Sequence, residues 1–183
     1  MPFVNPLKLS FAESYIKNKP DIRVVLDLGC DVGYYTFALA DRFKDKQFLG
    51  VDISNYKINK ADDINTFPNV EFVDGHAILD GDAKTDCLIA YEILEQQEEP
   101  WVFIDKAEAN VKEGGLVLIS VADGPWAKIT SDGHISRLWN FDRHDLRDMF
   151  SGKKGYTINT ASAGQLEATG EQIGWYFISY IKD

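Results

Sequence analysis

The stretch Val24 to Thr36, VVLDLGCDVGYYT, constrains the fold more than any other part of the chain. Its leading apolar run shows no alternation, which suits a strand buried on both faces of a helix-covered sheet. Gly29 and Gly33 follow at once, and Tyr35, Ala38, Leu39 and Phe43 then recur at helical spacing. Strand, glycine turn and helix in that order open a doubly wound α/β unit, in which ligands lie beyond the carboxyl ends of the strands. One carboxylate, Asp31, stands between the two glycines, where a ligand would approach the backbone.

The same alternation continues. Ser10 to Glu13 reads as a capping box opening a helix to about Asn18. Strands are predicted over Ile22 to Leu28, Gln47 to Val51, Val70 to Val73, Cys87 to Tyr91 and Leu116 to Val121. Ser54 caps a helix running toward Ile64. Pro100 opens another, carrying Trp101, Ile104, Ala107 and Val111 and stopped by Glu113-Gly114-Gly115. Asp142 caps a helix with Leu146, Met149 and Phe150 on one face. Tyr156 to Thr160 and Trp175 to Ile181 have no helix between them and close the chain as an antiparallel edge hairpin. The expectation is a single domain over residues 1–183: a Rossmann-like, mostly parallel sheet of seven strands ending in that hairpin.

Composition narrows the partners. With 19 basic against 29 acidic residues, the chain carries a formal charge of -10, opposite to what phosphate-neutralising nucleic-acid binders need. A small molecule is the expected partner, with no membrane and no nucleic acid. No opening segment reads as a signal peptide, and two cysteines make no disulfide framework, so a cytoplasmic home is expected. Cys30 and Cys87 belong near opposite ends of neighbouring strands and should not meet. No Cys/His cluster has zinc spacing, so no metal site is expected. Glu92, Glu95, Glu98 and Glu99 read as a solvated acidic run, and Trp101 and Trp175 as core.

Strand ends carry the candidate site. Asp52 closes the second strand 25 residues after Asp27, where a carboxylate can accept both hydroxyls of a ribose. The dinucleotide fingerprint G-x-G-x-x-G fails, because Asp occupies position 31 and Tyr position 34. The G-x-x-x-x-G-K-[ST] phosphate loop is absent too, so the site looks built for a nucleoside rather than a pyrophosphate.

With those residues in view, the chain resembles a class I S-adenosylmethionine-dependent methyltransferase, whose first motif reads [DE]-x-G-x-G-x-G. The likeness continues through GVDIS, VEFVDGHA, TDCLIAYEILE and VKEGGLVLISV, and DGHISRLWNFDRHDLRDMF resembles a downstream segment of small-molecule methyltransferases. The resemblance implies S-adenosyl-L-methionine as cofactor. It puts Asp27, Gly29 and Gly33 around the methionine part, and Asp52 with Ile53 on the ribose side. It puts Tyr91 and Glu92 along the methyl-transfer region. Two positions depart from the pattern. Asp31 replaces a glycine and could attract the cofactor's ammonium or repel its carboxylate; an Asp tolerates positive φ better than most residues. His76 stands where an aspartate taking the adenine amino group is usual, leaving Asp74 or the backbone at Ala77 as substitutes.

For the acceptor, His134 is the candidate general base, since its ordinary pKa of about 6.5 suits removal of a hydroxyl proton. Trp126 and Trp139 are candidates for covering a substrate beside Glu92. The short segment before the first strand leaves an open site, or one completed by a second subunit in a homodimer. Two functions stay open: methyl transfer to an oxygen or nitrogen of a small molecule, and a binding or scaffold protein that keeps the fold without the chemistry.

Overall fold

The computed structural model describes residues 4–77, 83–123, 137–165 and 172–183. The chain runs α1 (Pro6–Ile16), β1 (Val24–Leu28), α2 (Tyr34–Arg42), β2 (Gln47–Asp52), α3 (Asn55–Ile64) and β3 (Val70–Asp74). It continues through β4 (Thr85–Tyr91), α4 (Pro100–Glu108), β5 (Val111–Asp123), α5 (Arg143–Phe150), β6 (Lys154–Gln165) and β7 (Gln172–Ile181). The strands form one sheet in the order β3-β2-β1-β4-β5-β7-β6. β1 to β5 pair in parallel, and β7 runs antiparallel between β5 and β6. This is the predicted doubly wound sheet with its antiparallel C-terminal hairpin.

Alternating side chains explain why both faces are covered. β4 sends Cys87 and Ile89 to one face and Leu88 and Ala90 to the other; β5 divides Leu116 and Leu118 from Val117 and Ile119 in the same way. α1 and α2 close the first face with Leu9, Ala12, Ile16, Leu39 and Ala40. α4 and α5 close the second with Ile104, Ala107, Leu146 and Phe150. Burying one such large aliphatic or aromatic side chain contributes about 2 kcal/mol. A smaller cluster of Cys30, Ile58, Ala61 and Phe72 packs α3 near the glycine turn.

Three expectations need correction. α1 begins at Pro6, not after Ser10: the Asn5 side chain accepts the Leu7 N–H at 2.9 Å, and proline suits a first turn because it has no N–H to satisfy. α4 ends at Glu108, and Val111 already belongs to β5, paired with Thr85. The Asn110 carbonyl there accepts both the Thr85 N–H (2.7 Å) and its hydroxyl (3.0 Å), so the chain has left the helix before the glycines. Trp101 lies half exposed on α4 instead of in the core, with its ring edge-on to Trp139 at 5.8 Å. The Asp142 cap forms as expected, as a reciprocal capping box with Asp145.

Candidate functional site

The turn after β1 is left-handed three times within five residues: Gly29 (φ 77°), Asp31 (φ 54°) and Gly33 (φ 81°). The N–H groups of Gly29 and Cys30 both donate to the Val51 carbonyl, at 2.7 and 2.9 Å, which ties the turn to β2. A Cβ on Gly33 would lie 2.4 Å from the Phe72 ring, and one on Gly29 would lie 2.7 Å from Ile93 Cδ1. Both positions therefore favour glycine through φ, and at Gly33 the Phe72 ring takes the space of a Cβ as well. Asp31 bears its positive φ, as the sequence suggested an Asp could.

That turn arranges carboxylates around Asp52. The Asp31 N–H donates to Asp52 Oδ2 (3.1 Å), and the Ser54 N–H donates to Asp52 Oδ1 (2.9 Å). Ser54 is the N-cap of α3, although its own side chain makes no capping bond. Lys57, one turn into α3, sets its ammonium 3.3 Å from Asp31 Oδ1 and 3.7 Å from Asp52 Oδ2. Behind them Asp27 is 3% exposed and accepts the Thr36 hydroxyl at 2.6 Å. Burial pushes its carboxyl up to about 6 despite that hydrogen bond, with the Asp52 charge adding to the rise.

Two adjoining cavities open over these groups. One of 510 Å³ is walled by Asp52, Ile53, Gly75, Ile93 and Phe103; the other, of 290 Å³, by Lys8, Asp27, Asp31 and Tyr35. Gly29, Lys57, Tyr91, Glu92 and Gln96 line both. Of the segment Asp74 to Ala77, Gly75 is the wall residue. Asp74 and His76 face each other instead: Asp74 Oδ1 accepts the His76 N–H (3.0 Å) and meets its Nδ1 at 2.8 Å. The backbone bond, then the ring, hold the Asp74 carboxyl below its usual range. Ala77 ends the short 3-10 turn that follows. A separate cavity of 580 Å³ lies between α1 and the C-terminal hairpin, lined by residues such as Phe11, Tyr15 and Phe177.

At the ends of β4 and β7 the site is a polar knot. Glu92 sits at φ 52°, and its carboxylate takes Lys8, the Trp175 indole N–H (2.9 Å) and Arg137 Nη2 (3.2 Å). Burial alone would raise the Glu92 carboxyl, but the Lys8 charge leads a set of donors that keep it below the ordinary glutamate value. Lys8 is itself buried, 5.7 and 5.5 Å from the ring centres of Tyr35 and Trp175. Tyr91 donates its hydroxyl to the Lys8 carbonyl at 2.9 Å, and the Asn5 N–H donates to Tyr35 Oη at 2.7 Å. α1 is thereby pinned across this end of the sheet.

Glu95 corrects the expectation of a solvated acidic run. It is 1% exposed, accepts the Ala122 N–H at 3.2 Å, and lies 3.5 Å from Arg137. Its carbonyl also takes the N–H groups of Leu138 (2.8 Å) and Trp139 (3.1 Å). The 3-10 turn Leu94–Gln96 folds the chain back under that segment, which is why an apparently surface glutamate is buried; burial raises its carboxyl. Trp139 donates its indole N–H to the Gln97 carbonyl (2.8 Å) and stacks on Phe141. Trp175, expected in the core, is a site residue. His134 and Trp126 lie outside the described residues. Cys30 and Cys87 are free and buried, Cys87 pairing with Val25 at the start of β1 while Cys30 follows its end. Among the described residues no cluster of His, Cys, Asp or Glu is placed to hold a metal ion. Likewise no helix is long and apolar enough to cross a membrane.

Sequence reasoning missed Lys8, Lys57, Glu95 and Arg137. For Lys57 a signal existed, since a helix capped right after Asp52 brings its first turn back over that carboxylate. Lys8 and Arg137 carried no local signal.

Comparison with known proteins gives the family. The family described as "Methyltransferase domain" matches residues 7–177. A malonyl-[acyl-carrier protein] O-methyltransferase of Halalkalibacterium halodurans is 27% identical over 108 residues, 56% of this chain and 40% of that protein. A tRNA (guanine-N(7)-)-methyltransferase of Christiangramia forsetii is 47% identical over 47 residues, 26% of this chain and 20% of that protein. The chain thus spans less than half the length of either curated relative. Among solved structures, a SAM-dependent methyltransferase from Archaeoglobus fulgidus superposes with a TM-score of 0.69 at 18% identity, covering 97% of this chain and 94% of that one. The chain belongs to the methyltransferase-domain family, as its motifs suggested.

Proposed function

From that family membership we propose that the protein is an S-adenosylmethionine-dependent methyltransferase acting on an oxygen or nitrogen of a small-molecule acceptor. One observation carries the reading: the Asp52 carboxylate lies beside a left-handed glycine turn and lines a cavity of 510 Å³, within the size range of small-ligand sites. The residues fit the cofactor's parts. Asp52 accepts the ribose hydroxyls, while exposed Ile53 and Phe103 offer apolar surface to the adenine. The Gly29 backbone lines both cavities and faces the methionine end, while Gly33 sets the turn from behind, against Phe72. Lys8 is the cation suited to the methionine carboxylate, and Asp27 and Asp31 are the anions suited to its ammonium.

When bound, the cofactor supplies an electrophilic methyl group on a sulfonium. The chain's own part is alignment, because in-line displacement needs near-attack geometry more than acid–base machinery. Glu92 acts as an anchor and not as a base: its carboxyl is held low and three donors already occupy it. Where the acceptor is a hydroxyl, His134 takes its proton, and Trp126 and Trp139 cover the acceptor. The chain's acidic balance disfavours a nucleic-acid acceptor.

A catalytically silent binding protein is the second reading, favoured by the Lys57 ammonium beside Asp52. Calorimetric titration with S-adenosylmethionine and its demethylated product tests the cofactor site. Micromolar binding is expected, with about a hundredfold loss in Asp52→Ala, since two hydrogen bonds to a charged group disappear. No binding of either nucleoside at millimolar concentration would overturn it. Methyl transfer to candidate metabolites then separates the enzyme from the silent binder.

A further inference from the structure

Lys57 belongs to neither the glycine turn nor the β2 end, yet it lines both cavities and is their shared cation on α3. Its ammonium lies between two carboxylates, 3.3 Å from Asp31 and 3.7 Å from Asp52. Each Asp52 oxygen accepts one backbone N–H and keeps a free lone pair, with the Lys57 charge beside Oδ2. Oδ1 takes the Ser54 N–H, while Oδ2 takes the Asp31 N–H and faces Lys57. The Asp52 side chain is nearly buried, whereas those of Asp31 and Lys57 are 63% and 41% exposed. A hydroxyl pair arriving at Asp52 meets the Lys57 ammonium beside Oδ2, and Asp31 is the exposed carboxylate that already lies nearer to that ammonium.

We propose that Lys57 is an affinity-setting residue of the cofactor site: its ammonium is shared by Asp52 and Asp31 before the nucleoside arrives and is held by Asp31 alone when the ribose takes Asp52. The inference rests on the cofactor reading above. It gives the carboxylate in the glycine turn a second task beside the cofactor's ammonium, because Asp31 holds Lys57 clear of the ribose. It also sets a cation beside buried Asp52, which then does not stand as a lone anion in the free protein. The competing pair is partly exposed and therefore weak, which limits the effect to a modest factor.

The test is calorimetric titration of the demethylated cofactor product into the wild type, Lys57→Met and Lys57→Arg, with Asp52→Ala as a control. Lys57 is exposed enough for these replacements to leave the fold intact, and matching circular dichroism and melting curves confirm that. Lys57→Met is expected to bind about three- to tenfold tighter than the wild type. Lys57→Arg keeps the charge and should stay within about twofold. Equal or weaker binding by Lys57→Met, with wild-type binding still lost in Asp52→Ala, would overturn the role of Lys57 while leaving the cofactor site standing. Absence of binding by every variant, Lys57→Met included, would remove the cofactor reading and this inference with it.

Discussion

The two sides of the strand-end rim are built by different means. On the β1–β2 side the site is local backbone geometry: left-handed residues, a shared carbonyl, and carboxylates whose contacts reach 9 residues along the chain for Thr36 to Asp27 and 21 for Asp31 to Asp52. On the β4–β7 side it is a knot of long side chains. Glu92 meets Lys8 from 84 residues away, Trp175 from 83 and Arg137 from 45. The first side can form as soon as two neighbouring strands pair. The second exists only when α1, β4, β7 and the segment after β5 have all arrived. The nucleoside part of a cofactor shared by a whole family suits the first kind of construction, and an acceptor particular to one member suits the second. Lys8 reaches from the knot into the cavity beside Gly29.

If that contrast is right, charge should be a burden on the first side and a fastener on the second. Asp27 gives the larger test. Its folded carboxyl titrates near 6 against an ordinary 3.8, so the native state holds the proton more tightly than the unfolded chain. Asp27's contribution is thus full below about pH 4 and is lost as pH rises through about 6. Asp27→Asn keeps an acceptor for the Thr36 hydroxyl, removes that slope and gains about 3 kcal/mol at pH 7, read from urea unfolding between pH 4 and 7.5. An unchanged slope would mean that the turn bears no buried charge. Glu92→Gln should act in the opposite direction, costing about 2 kcal/mol by leaving Lys8 and Arg137 without their anion, discounted for the partial exposure of Glu92. A urea midpoint at or above the wild-type value would show that the knot fastens nothing.

The same contrast explains what could be read before the fold was seen. Strand, turn and helix signals are local, so the sheet, its closing hairpin, the glycine turn and Asp52 were all legible. The start of α1 was misplaced because Ser10 to Glu13 imitates a cap, while Asn5 and Pro6 do the capping. Val111 fitted a helical spacing, but pairing with Thr85 drew it into β5. Glu95 looked like a surface charge, since nothing nearby in sequence announces the Ala122 N–H and the segment 137–139 that bury it. Lys8 and Arg137 could not be found at all, because their roles are set by partners tens of residues away.

The central claim is that the carboxyl ends of β1 and β2 hold a nucleoside cofactor, and a crystal structure with the demethylated product of S-adenosylmethionine tests it most directly. The account predicts the ribose hydroxyls on Asp52, the methionine end over Gly29 beside Lys8, and Lys57 withdrawn toward Asp31. A ligand seated instead in the cavity between α1 and the C-terminal hairpin, with Lys57 still on Asp52, would contradict it.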